Sequence, residues 1–576
     1  MSPLYRSTPA RLTAPATTKL PRLALYALLL AYIVAGLFMR DPWKSDDLIG
    51  MATMLDNARE GGQAWLLPRI GDMAHAQNGP LSAWAGGLFA VLFGGWLGEV
   101  TAARLPNILW FLLCAAGLWY GAYLIGRRPE AQPLALPFGG EPNERDYGRM
   151  IADAALLLLL ATAGILIHVH ETGIVPALLA CNALAFYGLT RMLDKPLNGA
   201  IFLGLGLAGA CLARGLPGVL PLLLALPFIF RPGCLLWHRL KWLALGLAIA
   251  ALPVIAWLLA ASAQGARGEY WIDSWLQWNL DYYGLPTFKG SIGGLRDLSW
   301  FLWPTWPLAA LAISRWRGWY NAPHIAIALG LLAAGLLSLL VVPTPGELDF
   351  IALIVPAAAL AAFSLPTLRR GIVNTLDWFA VMCFSLTAVT VWLGWIALHL
   401  GWPPKIAHNI ARQTTGFDPS MDWLPTLLAI LISLGWVALL RWRFKARPTA
   451  LWRGTILSAG GLATTWLLLV LLWLPAIDYA RSYRAVSAEL AQTAAREIGP
   501  GECIRAVNLG TSQRAAFYVF DKQSFSYDSR CSFVLVQTSR SAMEEGRAPH
   551  ADAQHVLWEG ARAADRHELF RLLRLR

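Results

Sequence analysis

Apolar stretches close to twenty residues long recur along almost the whole of this chain. They lie near 22–39, 80–98, 105–126, 150–169, 173–190, 197–213, 216–230, 240–262, 299–314, 322–342, 350–367, 371–400, 423–440 and 450–475. A helix of about twenty apolar residues spans a hydrocarbon core, and in lipid the backbone must satisfy its own hydrogen bonds, which leaves helices as the form such stretches can take. The chain is 57% hydrophobic and 14% charged, with 28 tryptophans, too few charges to cover a soluble surface. These features describe a polytopic membrane protein. The first 21 residues are basic (Arg6, Arg11, Lys19), but no small-residue cleavage site follows the apolar run, so 22–39 reads as an uncleaved first helix.

The net charge of +12 does not point to nucleic acid, because most lysines and arginines sit in short loops between apolar runs, where they report topology. If every run crosses, those basic loops alternate against the positive-inside bias. If "PLSAWAGGLFAVLFGGWLG" (80–98) instead lies along the outer interface, every later basic loop moves to the cytoplasm. Its five glycines and two tryptophans suit an interfacial helix. The expected fold is therefore mainly α, with about thirteen transmembrane helices and an outside C-terminus. Within the first outer loop (40–104), the spacing of Leu48, Met51, Met54 and Leu55 predicts a second interfacial helix.

The tail from 476 changes character. "CIRAVNLG", "RAAFYVF" and "CSFVLVQTS" look like short strands, with helices near 478–498 and 511–518. We read a 1–475 transmembrane domain and a 476–576 α/β domain large enough for its own core. "ADRHELFRLLRLR" fits either a basic helix or a closing strand. Cys114, Cys181, Cys211, Cys234 and Cys383 lie in or beside apolar runs as small hydrophobes. Cys503 and Cys531 stand in the tail, where a disulfide fits an oxidising compartment.

This topology gathers a set of polar residues at the outer face. Asp46 and Asp47 open the first loop, His168, His170 and Glu171 form a corner, Arg214 ends a span, and Glu347 and Asp349 precede another. The aromatic loop 263–298, "ARGEYWIDSWLQWNLDYYGLPTFKG", adds Arg267, Asp273, Asp281 and Lys289. Charges at membrane depth are costly unless they serve a site or pathway, and a carboxylate base with cations nearby suits transfer of a group off a phosphate. Each residue also has a plainer role. Asp46 and Asp47 would charge a helix N-terminus, the histidines would be interfacial, Arg214 would snorkel to headgroups, and the tryptophans and tyrosines of 270–283 would form an aromatic belt. Asp153 and Asp377 read as helix-start caps.

The layout resembles the GT-C glycosyltransferases, and within them the group of aminoarabinose transferase (ArnT)-like, protein-mannosyltransferase-related enzymes, across most of 22–475 and with a similar small periplasmic domain after the spans. "SDDLIG" stands where that group has an Asp-Glu pair, "WLLPRIG" (65–71) and "VTAARLPN" (100–107) match two further stretches, and "ARGLPG" (213–218) matches a basic-Gly turn. "GELDFIALIVPAAALAA" (346–362) is similar to a late span of the family. The chain departs from the pattern at Leu48, Ile49 and Gly50, which replace an Arg-Tyr, and at Asn78 and Phe350, which replace a lysine and a tyrosine.

The resemblance implies a multi-pass enzyme of a bacterial inner membrane, with its active site and C-terminal domain in the periplasm. It would move a sugar from a polyprenyl-phosphate donor to lipid A or another envelope glycan, with inversion. Asp46 would be the base, with Asp47 and Glu171 as the other catalytic carboxylates. Arg214, with Arg267 or Lys289, would hold the donor phosphate, and Asn78, Tyr270, Tyr282 and Glu347 would contact substrate. A divalent metal at His170 and Glu171 is the one cofactor considered, and no nucleic acid is expected as a partner. The rival readings are a lipid-linked-sugar flippase, which should show paired repeats or broken helices, and a non-catalytic envelope assembly factor.

Overall fold

The structure, a computed structural model, describes all residues except 1–7, 18, 44, 446–449, 500, 548, 550–554, 563, 566 and 576. Among the described residues, eight helices are long and apolar enough to cross a membrane, from Glu99–Gly126 to Arg453–Glu497, and four shorter apolar helices accompany them: Arg22–Val34, Leu81–Leu97, Leu216–Ile229 and Pro323–Leu339. Glu144–Ala161 and Thr305–Arg315 complete the bundle. Helices Glu144–Ala161, Val175–Met192 and Glu347–Ser364 are buried over most of their lengths and form its centre. The outer ones expose apolar faces, as Leu240–Ser262 does with Leu252, Ile255 and Leu259, which is the pattern expected when lipid is the solvent.

Hydrogen bonds sort the loops into two ends. At one end Arg104 donates to the carbonyls of Leu37 and Arg40, Asn107 to that of Glu171, Gly79 to that of Ala213, and Gly284 to that of Val341. At the other, Arg11 donates from its backbone to Pro366, Arg128 pairs with Asp194, and Arg231 bonds Asn321. Both flanks of helix Leu81–Leu97 are tied to the first end, through Gly79 and Arg104. This helix therefore does not run from one end of the bundle to the other. It lies against helix Ser45–Glu60, with Gly86 and Gly87 against Met54 and Asn57, and turns Leu88, Val91, Leu92 and Trp96 outward. The glycines are what allow the close approach: a Cβ on Gly86 would stand 2.2 Å from the Met54 sulfur.

Two aspartates differ from their expected roles. Asp153 lies well inside helix Glu144–Ala161 and pairs with Arg22 at 2.7 Å, with Trp119 Nε1 donating to the same oxygen. Asp377 lies inside Arg370–Leu400 and pairs with Arg443 at 2.7 Å. Neither caps a helix. A carboxylate buried this deeply needs a guanidinium partner more than its helix needs a charge at the N-terminus.

The last membrane helix, Ala450–Arg481, runs through the boundary expected at 475, and Arg484–Glu497 follows it as a separate helix. A four-stranded sheet then forms in the order Ile504–Val507, Phe533–Ser539, Glu568–Arg574, Val556–Gly560. The first pair is parallel and the rest are antiparallel. "RAAFYVF" is not a strand but part of helix Thr511–Asp521, whose Ala515–Val519 stretch is buried. A continuous apolar run suits a buried helix as well as a strand. The closing segment is a strand, and Cys503 is bonded to Cys531. The tail does not close a separate core: Leu48, Met51 and Leu55 of helix Ser45–Glu60 belong to the same buried cluster as Tyr483, Leu490, Phe517 and Phe570.

Candidate active site

Asp46 and Asp47 occupy the first turn of helix Ser45–Glu60. Successive residues on a helix point about 100° apart, so the two carboxylates face different surroundings. Asp47 is fully buried. Its Oδ2 pairs with Arg40 at 2.9 Å and stands 3.8 Å from Arg104, while its Oδ1 accepts from the backbone N–H of Thr172 at 2.7 Å and from the Thr172 hydroxyl at 2.6 Å. Burial alone would raise the Asp47 pKa, but the guanidiniums of Arg40 and Arg104 and the Thr172 hydrogen bonds together hold it below the usual carboxylate range. Arg40 also donates to the carbonyls of Gly36 and His170, each at 2.8 Å. Asp47 thus joins the end of the first span to the 168–174 corner, and it is not open to a substrate.

Asp46 is exposed and lines a narrow cleft holding roughly 70 Å³ of open space. The cleft runs between helix Ser45–Glu60, the 75–83 segment and the Gly173–Ile174 turn, with Leu348 on one wall. Two glycines hold the walls together. A Cβ on Gly50 would stand 2.2 Å from the carbonyl oxygen of Thr172, and one on Gly79 would stand 2.1 Å from that of Leu212. Asn78, at φ +62°, lines the cleft, and its carbonyl accepts from Trp275 Nε1.

Glu171 is buried and pairs with His168 Nδ1 at 2.9 Å, and the other ring nitrogen meets Glu347 Oε2 at 2.8 Å. One imidazole therefore bridges two carboxylates, an arrangement that fixes their positions and can pass a proton between them. His170 turns away from Glu171: its ring nitrogens stand against the carbonyls of Leu166 and Tyr32, at 2.7 and 2.8 Å. With both nitrogens so engaged, His170 and Glu171 do not form a ligand pair. Among the described residues no three His, Cys, Asp or Glu side chains group to hold a metal. The residues do not fit the metal considered from the sequence.

Arg214 is buried at the end of helix Pro196–Arg214. It pairs with Asp349 Oδ1 at 3.0 Å and donates to the Tyr282 hydroxyl, which itself donates to Asp349. Snorkelling to headgroups does not describe this side chain. Arg267 and Tyr270 are not brought to it. They sit on exposed positions near the start of helix Ala266–Asp281, whereas Tyr282 follows its end. Fifteen helical residues separate Arg267 from Tyr282 by about 22 Å. Lys289 is exposed on the next helix, Phe288–Phe301, beside the 341–345 loop on which that segment is seated. Of the expected phosphate cations, Arg214 alone is joined to the other predicted residues, through Tyr282.

Several residues of the site were not singled out from sequence. Arg40 and Thr172 set the corner, and Thr53, His75 and Ser82 line the cleft with Asp46. One signal was present for Arg40. An arginine directly after a span on the side that carries fewer cations goes against the positive-inside bias, which suggests that it has a partner.

The C-terminal unit reaches this end of the bundle. The Tyr518 hydroxyl donates to Asp56 Oδ1 at 3.0 Å and Arg69 to its Oδ2 at 2.9 Å, while Arg59 donates to the carbonyls of Tyr518 and Val519. Burial pushes Asp56 up to about 6 despite these partners. Arg484 and Ser482 hold Asp41.

No protein-family model and no curated protein matches the sequence. Solved structures do match. The chain is similar to ArnT from Cupriavidus metallidurans bound to undecaprenyl phosphate, at a TM-score of 0.67 and 15% identity over 96% of this chain and 97% of that one. It is similar to the apo form of the same protein at a TM-score of 0.62 and 16% identity over the same shares. A TM-score of 0.67 over nearly the whole of both chains shows that this chain has the fold of ArnT.

Proposed function

We propose that this protein is an integral-membrane glycosyltransferase that takes a sugar from a polyprenyl-phosphate donor. The observation that carries the reading is the division of labour in the first loop. Asp47 is locked among Arg40, Arg104 and Thr172, and Asp46, one residue before it, is presented to a cleft. The fold is that of a protein crystallised with undecaprenyl phosphate, which supports a lipid-phosphate donor here.

In this reading an acceptor oxygen attacks the anomeric carbon from the face opposite the phosphate. The new C–O bond forms as the sugar–phosphate C–O bond breaks, and the electron pair leaves with the polyprenyl phosphate. When the acceptor is a hydroxyl, its proton passes to the Asp46 carboxylate. Single displacement inverts the anomeric centre. Arg214 stands ready to hold the departing phosphate, which would share it with Asp349. Glu171 and Glu347, bridged by His168, position the corner that faces the helix carrying Asp46.

The site end is assigned to the periplasm and the acceptor to lipid A or another envelope glycan. Two observations support that side. The far end carries Arg127, Arg128, Arg145, Arg149, Arg191 and Lys195 in its loops and helix ends, the bias of a cytoplasmic face. The Cys503–Cys531 disulfide belongs to an oxidising compartment. The test is mass spectrometry of lipid A and lipid-linked sugars from cells carrying the wild-type protein or Asp46→Asn. The wild type should add a sugar and the variant should not. Full transfer by Asp46→Asn would remove Asp46 from the base role.

A further inference from the structure

The cleft beside Asp46 contains an imidazole that the reaction above does not use. His75 follows the small hairpin of Arg69–Ile70 and Met73–Ala74, and its ring lines the cleft while being 8% exposed. Its backbone N–H is spent on the Pro68 carbonyl, but among the described residues its ring nitrogens make no hydrogen bond. An imidazole lining an open cleft without a protein partner has its ring nitrogens available to a ligand there.

We propose that His75 contacts the sugar of the lipid-linked donor, its imidazole donating from one ring nitrogen to a sugar hydroxyl and accepting from a neighbouring hydroxyl at the other. The proposal rests on the glycosyltransferase reading and names the chemistry of the same site. Three observations converge on it. Burial, with the Arg514 guanidinium nearby, holds His75 down to about 4, so at neutral pH it has one donor and one acceptor. Adjacent sugar hydroxyls, each able to donate and accept, complement that pair. Among the described residues the rest of the polar lining is uncharged, supplied by Thr53, Gln77, Asn78 and Ser82. A sugar bearing a carboxylate would be desolvated there with the Asp46 carboxylate as its neighbour. The structure therefore assigns this cleft to the hydroxyl-bearing face of a sugar without an acidic group.

The test uses the full-length protein in lipid nanodiscs and measures binding of undecaprenyl phosphate, undecaprenyl-phosphate-linked glucose and undecaprenyl-phosphate-linked glucuronate. The wild type should bind the glucose-bearing lipid at least about tenfold better than the glucuronate-bearing one, a difference of about 1.4 kcal/mol. His75→Phe should weaken binding of the glucose-bearing lipid about tenfold and leave undecaprenyl phosphate within about twofold, and His75→Gln should recover part of the loss. Equal weakening of all three lipids would make His75 a structural support of the cleft and overturn the proposal, as would unchanged binding by His75→Phe. A wild type that binds both sugar-bearing lipids no differently from undecaprenyl phosphate would count against the glycosyltransferase reading itself. The two failures are therefore seen in different proteins, the first in the variant and the second in the wild type.

Discussion

The two ends of the bundle use aspartate in opposite ways. At the far end, Asp153 and Asp377 are buried and neutralised by Arg22 and Arg443, each at 2.7 Å. They join helices, and both carboxylates are closed to solvent. At the near end, Asp47 is neutralised in the same manner by Arg40, but the pairing holds in place a helix whose first turn also exposes Asp46. A buried ion pair is weak evidence of net stabilisation, because desolvation offsets much of the attraction, yet removing one partner is strongly destabilising. The difference between the ends therefore lies in what the pair positions.

The largest effect should separate those two uses. Asp46→Asn should lower transfer by about 10²–10⁴-fold, the usual contribution of a general base, with the thermal midpoint close to that of the wild type. Asp377→Asn should do the reverse, costing about 3–5 kcal/mol and leaving turnover per folded molecule unchanged. Activity and thermal unfolding measured on the same samples test both, and a catalytic loss in Asp377→Asn would erase the contrast between the ends.

Asp47→Ala should resemble the far end in stability and the near end in activity. It leaves Arg40 buried without its main partner, costing about 3–5 kcal/mol, and it lets the first turn drift, so turnover falls too. The pH dependence gives a second handle. The folded-state pKa of Asp47 is lowered from 3.8, so its contribution is complete above 3.8 and is lost only as pH falls from there through the lower folded value. Unfolding measured between pH 3 and 6 should show stability dropping on the acid side in the wild type, with a shallower drop in Asp47→Asn.

A smaller effect tests the contact between helix Ser45–Glu60 and the corner. Gly50→Ala would place a methyl 2.2 Å from the Thr172 carbonyl oxygen, so one wall must shift, at a cost of about 1–3 kcal/mol. Reduced turnover with retained lipid binding is the expected outcome. The smallest change concerns the C-terminal unit. Arg514→Gln removes a charge that holds His75 down, and since burial is the larger cause, the imidazole pKa should rise only part of the way from about 4 toward 6.5. NMR titration of the His75 ring reads this directly, and no upward movement would show that the C-terminal unit exerts no field on the cleft.

Much of the site was legible before the structure, although its organisation was not. The acidic pair, the Glu171 corner and the Arg214 turn were all visible as charges beside apolar runs, because membrane depth makes any charge conspicuous. Which of them meet was not visible. Arg267 and Arg214 stand in neighbouring outer segments of the sequence, yet a helix of four turns carries Arg267 away. His170 and Glu171 are adjacent, yet one faces Tyr32 and the other His168. "RAAFYVF" was misread because its apolar run fits two secondary structures, and packing against helix Ser45–Glu60 and the sheet made it a helix.

The sequence by itself determined the solvent of this protein, its succession of apolar helices, and the lying helices after the first span. All of these follow from local run length, helical period and the distribution of cations, which need no knowledge of distant residues. The tertiary structure alone decided that Asp46 opens to the cleft while Asp47 is closed. That choice depends on Arg40, Arg104 and above all Thr172, 125 residues further along the chain, and a carboxylate's exposure is set by the neighbours that surround it in space.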